Sequence, residues 1–180
     1  MIPSIKSVNH AAYRCRDVEQ TRRFYEGVLG LKVKAALAFD QISGTGFDRR
    51  YMHIFFEMAD GNYIAFFDSP DDARVEHFER KDSFDVHIAL EVETEAALLE
   101  LQSHIQACGK TCLGPVDHGF LKSCYMYDPN GLQVEITART ANSTEILDHE
   151  ESQIEIEISR WTESTRQLKH SLFGQDVLDK

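Results

Sequence analysis

Two histidines occupy matching places in two similar halves of the sequence. His10 lies in the strand-like run 8–12 and His87 in the run 86–89, and each run leads into a segment whose apolar residues have helical spacing. Because internal repeats fold as equivalent units, we expect the two imidazoles to stand at equivalent positions of two strands.

A glutamate distinguishes the last strand of the second half from that of the first. Each of these strands follows a turn glycine, so residues 61–65 align with residues 131–135, and Ala65 stands where Glu135 stands. A sheet curved around one centre would bring His10, His87 and Glu135 together and would leave the fourth, symmetry-related position without a ligand.

Two neutral imidazoles and one carboxylate on one side of a metal leave its other coordination positions open. This donor set suits a redox-active ion that binds substrate and O₂ together, so we expect Fe(II), with Mn(II) or another divalent metal as alternatives. A single strand histidine or glutamate is more often packed or solvated. The joint occurrence of His10, His87 and Glu135 at repeat-equivalent positions favours a metal site.

Each half has the element order βαβββ. Asp17 and Thr94 are predicted to cap the two helices, and Gly30 and Gly109 to end them. The predicted buried helix faces are Thr21, Phe24, Tyr25 and Val28, then Leu98, Leu101, Ile105 and Cys108. Three strand-like runs follow each helix: 31–39, 51–59 and 62–68, then 111–116, 121–127 and 132–137. The predicted class is α+β, with two βαβββ modules forming a curved, mainly antiparallel sheet around the metal site.

One domain is predicted over residues 5–138, with modules at about 5–68 and 84–138 joined by the polar linker 69–83. An acidic, amphipathic extension covers residues 141–180, with nine acidic residues against four basic ones. Its Ile154, Ile158, Trp161 and Leu168 fit one face of a helix, although the segment around Ile156 also alternates like a strand. We expect the apolar face to pack on the core or on a second subunit.

The composition restricts the classes of partner. The chain has 180 residues, 42% of them apolar, and a formal net charge of −11, which disfavours a nucleic acid or an anionic membrane as partner. It has no long apolar run, and its four cysteines are too few for the disulfide framework of a small secreted protein. We therefore expect a cytoplasmic protein with buried thiols that acts on a small molecule.

These residues resemble the vicinal oxygen chelate superfamily, which includes glyoxalases, extradiol ring-cleaving dioxygenases, fosfomycin-resistance thiol transferases and bleomycin-binding proteins. The resemblance covers about residues 5 to 138. It is carried by His10, the helix end 23–31, His87, and the segment 127–131 that runs into Glu135. It implies that these two histidines and Glu135 are the metal ligands, and that the modules pair between chains in a homodimer.

Within this superfamily the sequence is most similar to single-domain extradiol dioxygenases. Glyoxalase-like members take a fourth ligand at the position of Ala65, whereas extradiol enzymes use three ligands. Their final segment has a His, a Tyr, an acidic residue with Pro, a turn Gly and the metal Glu. Here that pattern is matched by His118, Tyr125, the Asp-Pro pair 128–129 and Glu135, with Cys124 in place of an aliphatic residue or Phe.

The resemblance implies cleavage of a catechol, such as 2,3-dihydroxybiphenyl, by O₂. Tyr125 and His118 would hydrogen-bond the bound oxygens, and a histidine in the linker, here His77, would accept a phenolic proton. His53 is a rival for this role, because it shares strand parity with Phe55, the repeat counterpart of Tyr125. Phe55, Phe66 and Tyr63 are expected to form apolar walls around the ring. Two other functions stay open: a different metal-dependent reaction, such as thiol transfer or a glyoxalase-like one, and metal-free binding of the bleomycin-resistance type.

Overall fold

The structure is a computed structural model that describes residues 2–178. The first module consists of β1 (His10–Cys15), α1 (Val18–Tyr25), β2 (Lys32–Gln41), β3 (Asp48–Glu57) and β4 (Tyr63–Asp68). The second consists of β5 (His87–Glu91), α2 (Glu95–Ala107), β6 (Leu113–Asp117), β7 (Leu121–Tyr127) and β8 (Gln133–Arg139). The predicted order βαβββ is confirmed in both halves.

Both helices begin where the capping residues predict. The Asp17 side chain accepts a hydrogen bond from the backbone N–H of Gln20 at 2.6 Å, and the Thr94 hydroxyl accepts one from that of Ala97 at 3.1 Å. The predicted end at Gly109 is confirmed for α2, but the one at Gly30 is wrong, because α1 ends at Tyr25 and turns fill the residues between.

The predicted faces are largely buried: Thr21, Phe24 and Tyr25 on α1, Val28 just after it, and Leu98 and Ile105 on α2. Leu101 is partly buried, and Cys108, which lies just beyond the last residue of α2, is exposed.

The strands form two four-stranded sheets rather than one continuous sheet. The first has the order β1-β4-β3-β2 and the second the order β5-β8-β7-β6. In each, the first strand is parallel to the last strand of the module and the other pairs are antiparallel. The α+β class with mainly antiparallel pairing is thus confirmed.

The strand registers confirm the alignment of the two halves. His10 lies opposite Tyr63 on β4, as His87 lies opposite Gln133 on β8. Two residues further along, Ala65 and Glu135 hold equivalent positions. Since side chains alternate along a strand, each histidine shares a sheet face with the residue at this second position.

One hydrophobic core joins the two modules, and a buried polar cluster links them as well. The Tyr25 hydroxyl on α1 donates to Asp128 Oδ2 at 3.2 Å, and the Arg16 backbone N–H donates to Asn130 Oδ1 at 2.8 Å. Burial and the nearby Asp128 carboxylate raise the pKa of Tyr25 well above its ordinary value, so the phenol remains a donor. Gly131 has a φ of 81°, and a Cβ there would collide with the carbonyl of Glu79 in the linker.

The acidic extension forms a long helix, α3 (Ser143–Phe173), followed by the short α4 (Gln175–Leu178). The strand-like alternation around Ile156 is therefore overridden by helix formation. Ser143 is buried, but every apolar side chain from Leu147 onward is exposed, so α3 does not pack its apolar face on the core. Residues 179 and 180 of the extension lie outside the described part. Within residues 2–178, no helix is both long and apolar enough to cross a membrane.

Candidate functional site

His87 and Glu135 lie side by side on the second sheet. The pairing of β5 with β8 places His87 Nε2 3.7 Å from Glu135 Oε2. His87 Nδ1 lies 2.8 Å from the carbonyl oxygen of Ser83, which can only accept a hydrogen bond, so Nδ1 carries the proton in the neutral ring. Nε2 therefore presents a lone pair beside a carboxylate that is 7% exposed.

Tyr125 and His118 extend this pair into a hydrogen-bonded chain. The antiparallel pairing of β7 and β8 sets Tyr125 opposite Glu135, and its hydroxyl donates to Glu135 Oε1 at 3.2 Å. His118 Nε2 lies 2.7 Å from the same hydroxyl and can donate to it, which connects the buried carboxylate to an exposed imidazole. Burial raises the pKa of Tyr125, which keeps the phenol protonated. Cys124, the residue that departs from the extradiol pattern, is buried in the core.

His10 lies on the first sheet in a setting that parallels that of His87. Its Nδ1 is 2.9 Å from Asn9 Oδ1, and its ring is exposed and 5.7 Å from that of Phe55. With Nδ1–H donated to this amide oxygen, Nε2 has a free lone pair. Both histidines of the expected ligand set are thus held by an oxygen at Nδ1.

Of the two candidates for proton transfer, His53 is the one beside His10. Its ring centroid is 6.2 Å from that of His10 and 3.8 Å from that of Phe67, on which it stacks. His53 Nε2 is buried without a hydrogen-bond partner among the described residues, and burial, with His10 nearby, lowers its pKa. His77 instead lies in the linker, where it contacts Arg74.

Two of the three aromatic residues expected as walls of the site, Phe55 and Tyr63, lie together beside His10 on the first sheet. Tyr63 packs edge-on against Phe55 at 5.9 Å, as expected of a wall beside His10. The expectation for Phe66 is wrong, because it lies on the opposite face of β4 and is fully buried in the core.

Sequence reasoning missed an open cavity of about 320 Å³ on this sheet, whose lining includes Arg14 and Arg49. The only sequence feature that could have indicated this cavity is that Arg14 shares a strand face with His10.

The described chain does not bring the three expected ligands together. Among residues 2–178, no group of three or more His, Cys, Asp or Glu side chains is arranged to hold a metal ion. His10 lies on the face of one sheet, and the His87–Glu135 pair lies on the face of the other. A metal site of these three residues therefore stays a prediction.

Comparison with known proteins identifies the family. The family model described as the glyoxalase/bleomycin resistance protein/dioxygenase superfamily matches residues 7–136. No curated protein matches the chain significantly. A solved glyoxalase/bleomycin resistance protein/dioxygenase domain from Frankia sp. EAN1pec is 17% identical with a TM-score of 0.62, over 77% of this chain and 95% of that one.

Two further solved structures share the fold at similarly low identity. A mutant of FosX, a fosfomycin resistance protein from Listeria monocytogenes, was solved with Mn(II) and 1S,2S-dihydroxypropylphosphonic acid. It is 20% identical with a TM-score of 0.55, over 78% of this chain and 98% of that one. TnmS3, an antibiotic-binding protein from Streptomyces sp. CB03234, is 17% identical with a TM-score of 0.54, over 77% and 100%. With its two equivalent βαβββ modules and a family match over most of its length, this chain belongs to the glyoxalase/bleomycin resistance protein/dioxygenase superfamily.

Proposed function

We propose that this protein is a metal-dependent extradiol dioxygenase that cleaves the ring of a catechol-type aromatic. The observation that carries the proposal is the hydrogen-bonded chain from His118 through Tyr125 to Glu135. It links the expected metal-binding carboxylate to a phenol and an imidazole, whose hydrogen bonds would pass from Glu135 and from each other to substrate oxygens when a substrate binds. No such arrangement is needed for metal-free binding of an apolar ligand.

His10, His87 and Glu135 fit a divalent metal in their chemistry. Each imidazole has Nδ1 engaged by an oxygen and Nε2 available, and Glu135 supplies an anionic oxygen. We propose Fe(II) as the ion, with Mn(II), the metal in the FosX structure, as the alternative. Such an ion would supply Lewis acidity and one-electron chemistry with O₂.

We further propose that the metal centre forms between two chains of a homodimer. The sheet faces that carry the ligands are partly uncovered: Leu37, which pairs with His53, is 48% exposed, and Leu113, which pairs with Tyr125, is 65% exposed. Exposed apolar side chains on these faces are stabilised when a second protein surface covers them. A second copy, placing its second sheet over the first sheet of its partner, would join His10 of one chain to His87 and Glu135 of the other, twice per dimer.

In this reaction the side chains of the protein bind the ring and move protons. The Phe55 and Tyr63 rings would offer an aromatic wall beside His10 for a flat substrate. His53 Nε2 would take the proton of one catechol hydroxyl: the O–H bond breaks and an N–H bond forms. With substrate bound, Tyr125 and His118 would turn their hydrogen bonds from Glu135 and from each other to the charge that develops on the substrate oxygens.

The test is O₂ consumption by protein loaded with Fe(II) under anaerobic conditions. We expect uptake of O₂ with 2,3-dihydroxybiphenyl or another member of a catechol panel, together with a coloured ring-opened product. The matched control is His149→Gln, an exposed histidine on α3, which should retain full activity. If the loaded protein consumes no O₂ with any catechol, the dioxygenase assignment is wrong.

A further inference from the structure

The exposed face of α3 has a regular seven-residue spacing. Leu147, Ile154, Trp161 and Leu168 recur at intervals of seven, and Ile158 and Leu172 follow two of them by four residues. These residues are 39% to 66% exposed, so the stripe has no cover in the described chain. Spacings of seven and four place side chains along one seam of a helix, as at the d and a positions of a coiled coil.

The charges of α3 are divided between its two ends. Residues 143–158 contain six acidic and no basic side chains, whereas residues 159–173 contain three basic ones, Arg160, Arg166 and Lys169, against one acidic, Glu163. Two copies side by side in parallel would set the acidic halves against each other. Two antiparallel copies would set each acidic half against a basic one, which favours that orientation.

We propose that α3 is a dimerisation helix that pairs antiparallel with α3 of a second copy of this chain. The apolar stripe of α3 thus packs against the same stripe of a second copy. The proposal concerns a surface separate from the two sheet faces and does not depend on the proposed reaction. Where both interfaces form, α3 pairing joins two sheet-face dimers, and its loss is measured as a return to that dimer.

One antiparallel register pairs most of the apolar seam residues with each other. If Trp161 packs beside Ile158 of the second copy, then Leu147 packs beside Leu172 and Ile154 beside Thr165. The same register brings Asp148 opposite Lys169 at the flank of the seam, at both ends of the pair. The remaining seam position, Glu151, then lies near Leu168 and Lys169 of the second copy, so its charge faces a basic half.

A carbodiimide cross-link tests the register directly. Asp148 and Lys169 of one chain are 21 residues apart on a continuous helix, about 31 Å, so they cannot be joined within a molecule. We expect mass spectrometry of a mixture of unlabelled and ¹⁵N-labelled full-length protein to show an Asp148–Lys169 link between chains of different label. Absence of this link from the associated protein would overturn the antiparallel register.

Two matched variants test the seam. Ile158→Asp, in the seam, should abolish the cross-link and weaken association through α3 by about 100-fold in sedimentation equilibrium. Ile156→Asp makes the same change on the opposite face of the same helix, where Ile156 is 55% exposed, and should leave both unchanged. Circular dichroism checks that both variants keep the helix. If the two variants dissociate equally, or neither does, the seam is assigned wrongly.

A charge exchange distinguishes pairing in this register from non-specific association of exposed apolar surfaces. Asp148→Lys alone should weaken association by about tenfold, because both ends of the pair then carry like charges. Adding Lys169→Asp to the same chain should restore it, since opposite charges again meet. No restoration would overturn the pairing of these two positions. Metal content is measured in the same samples and should not change, so failure of this proposal is distinguishable from failure of the metal centre.

Discussion

A metal centre shared between two chains can be tested by mixing two inactive variants. A chain with His10→Ala keeps His87 and Glu135, and a chain with His87→Ala keeps His10. Each variant alone should lose its metal, because every site then lacks an imidazole. In a mixed dimer, one site receives His10 from the second variant and His87 with Glu135 from the first, so it is complete, while the other site lacks both histidines.

The recovery expected from this mixture follows from counting sites. After random exchange of equal amounts, about half of the dimers are mixed and each has one complete site of two, so about a quarter of the wild-type metal content should return. If the three ligands came together within one chain, no site in the mixture would be complete and recovery would be zero. The positions of His10 and Glu135 on separate sheets are the structural reason to expect the first result.

The assay is metal analysis after anaerobic loading and dialysis, with O₂ uptake on a catechol as a second readout. The matched negative control mixes His87→Ala with Glu135→Gln, since both changes affect the same half of the shared site and neither mixed site is complete. Recovery in this control, or none in the His10→Ala and His87→Ala mixture, would refute the shared centre. Full metal retention in either single variant would refute the ligand set itself.

Three further predictions concern the polar contacts of the structure. Tyr125→Phe should lower turnover by more than about tenfold while metal content stays unchanged, because the hydroxyl touches a ligand but is not one; equal losses of both would contradict this. Tyr25→Phe should lower the free energy of unfolding by about 1.5 kcal/mol in urea titrations, since it removes one buried donor to Asp128, which keeps its other donors; unchanged stability would show that the bond contributes nothing. The Arg14 guanidinium, with the Ser69 hydroxyl, holds the pKa of Asp72 well below its usual range, so this ion pair stabilises the fold above about pH 4 and the contribution is lost as pH falls. Asp72→Asn should therefore cost at most about 1 kcal/mol at pH 7, because both groups are partly exposed, and the difference from wild type should narrow toward pH 2.

The elements and their alignment were predictable because their signals are local. Asp17 and Thr94 cap helices through backbone groups three residues away, and the turn glycines set the start of β4 and β8. Aligning the repeats was then enough to equate Ala65 with Glu135, which the registers confirm. The error at Phe66 arose from strand parity, since neighbouring residues of a strand point to opposite faces.

Which of His53 and His77 lies beside His10 could not be read from the sequence, because it depends on contacts between distant strands. His53 comes beside His10 only through β4, which lies between β3 and β1 in the first sheet. His77 contacts Arg74, three residues before it, so a local turn decides its position. Neither the contact of His53 with His10 nor that of His77 with Arg74 can be recognised from the periodicity of apolar residues in the sequence.

By itself, the sequence determined two βαβββ modules, the helix starts, the equivalence of His10 with His87, and a segment with an apolar helix face. Only the tertiary structure decided that the modules build separate sheets, that His10 lies apart from the His87–Glu135 pair, and that α3 leaves its apolar face exposed. The physical reason is that capping and strand alternation act over a few residues, whereas the placement of one module against the other depends on buried contacts such as Tyr25 with Asp128, which join residues far apart in the chain.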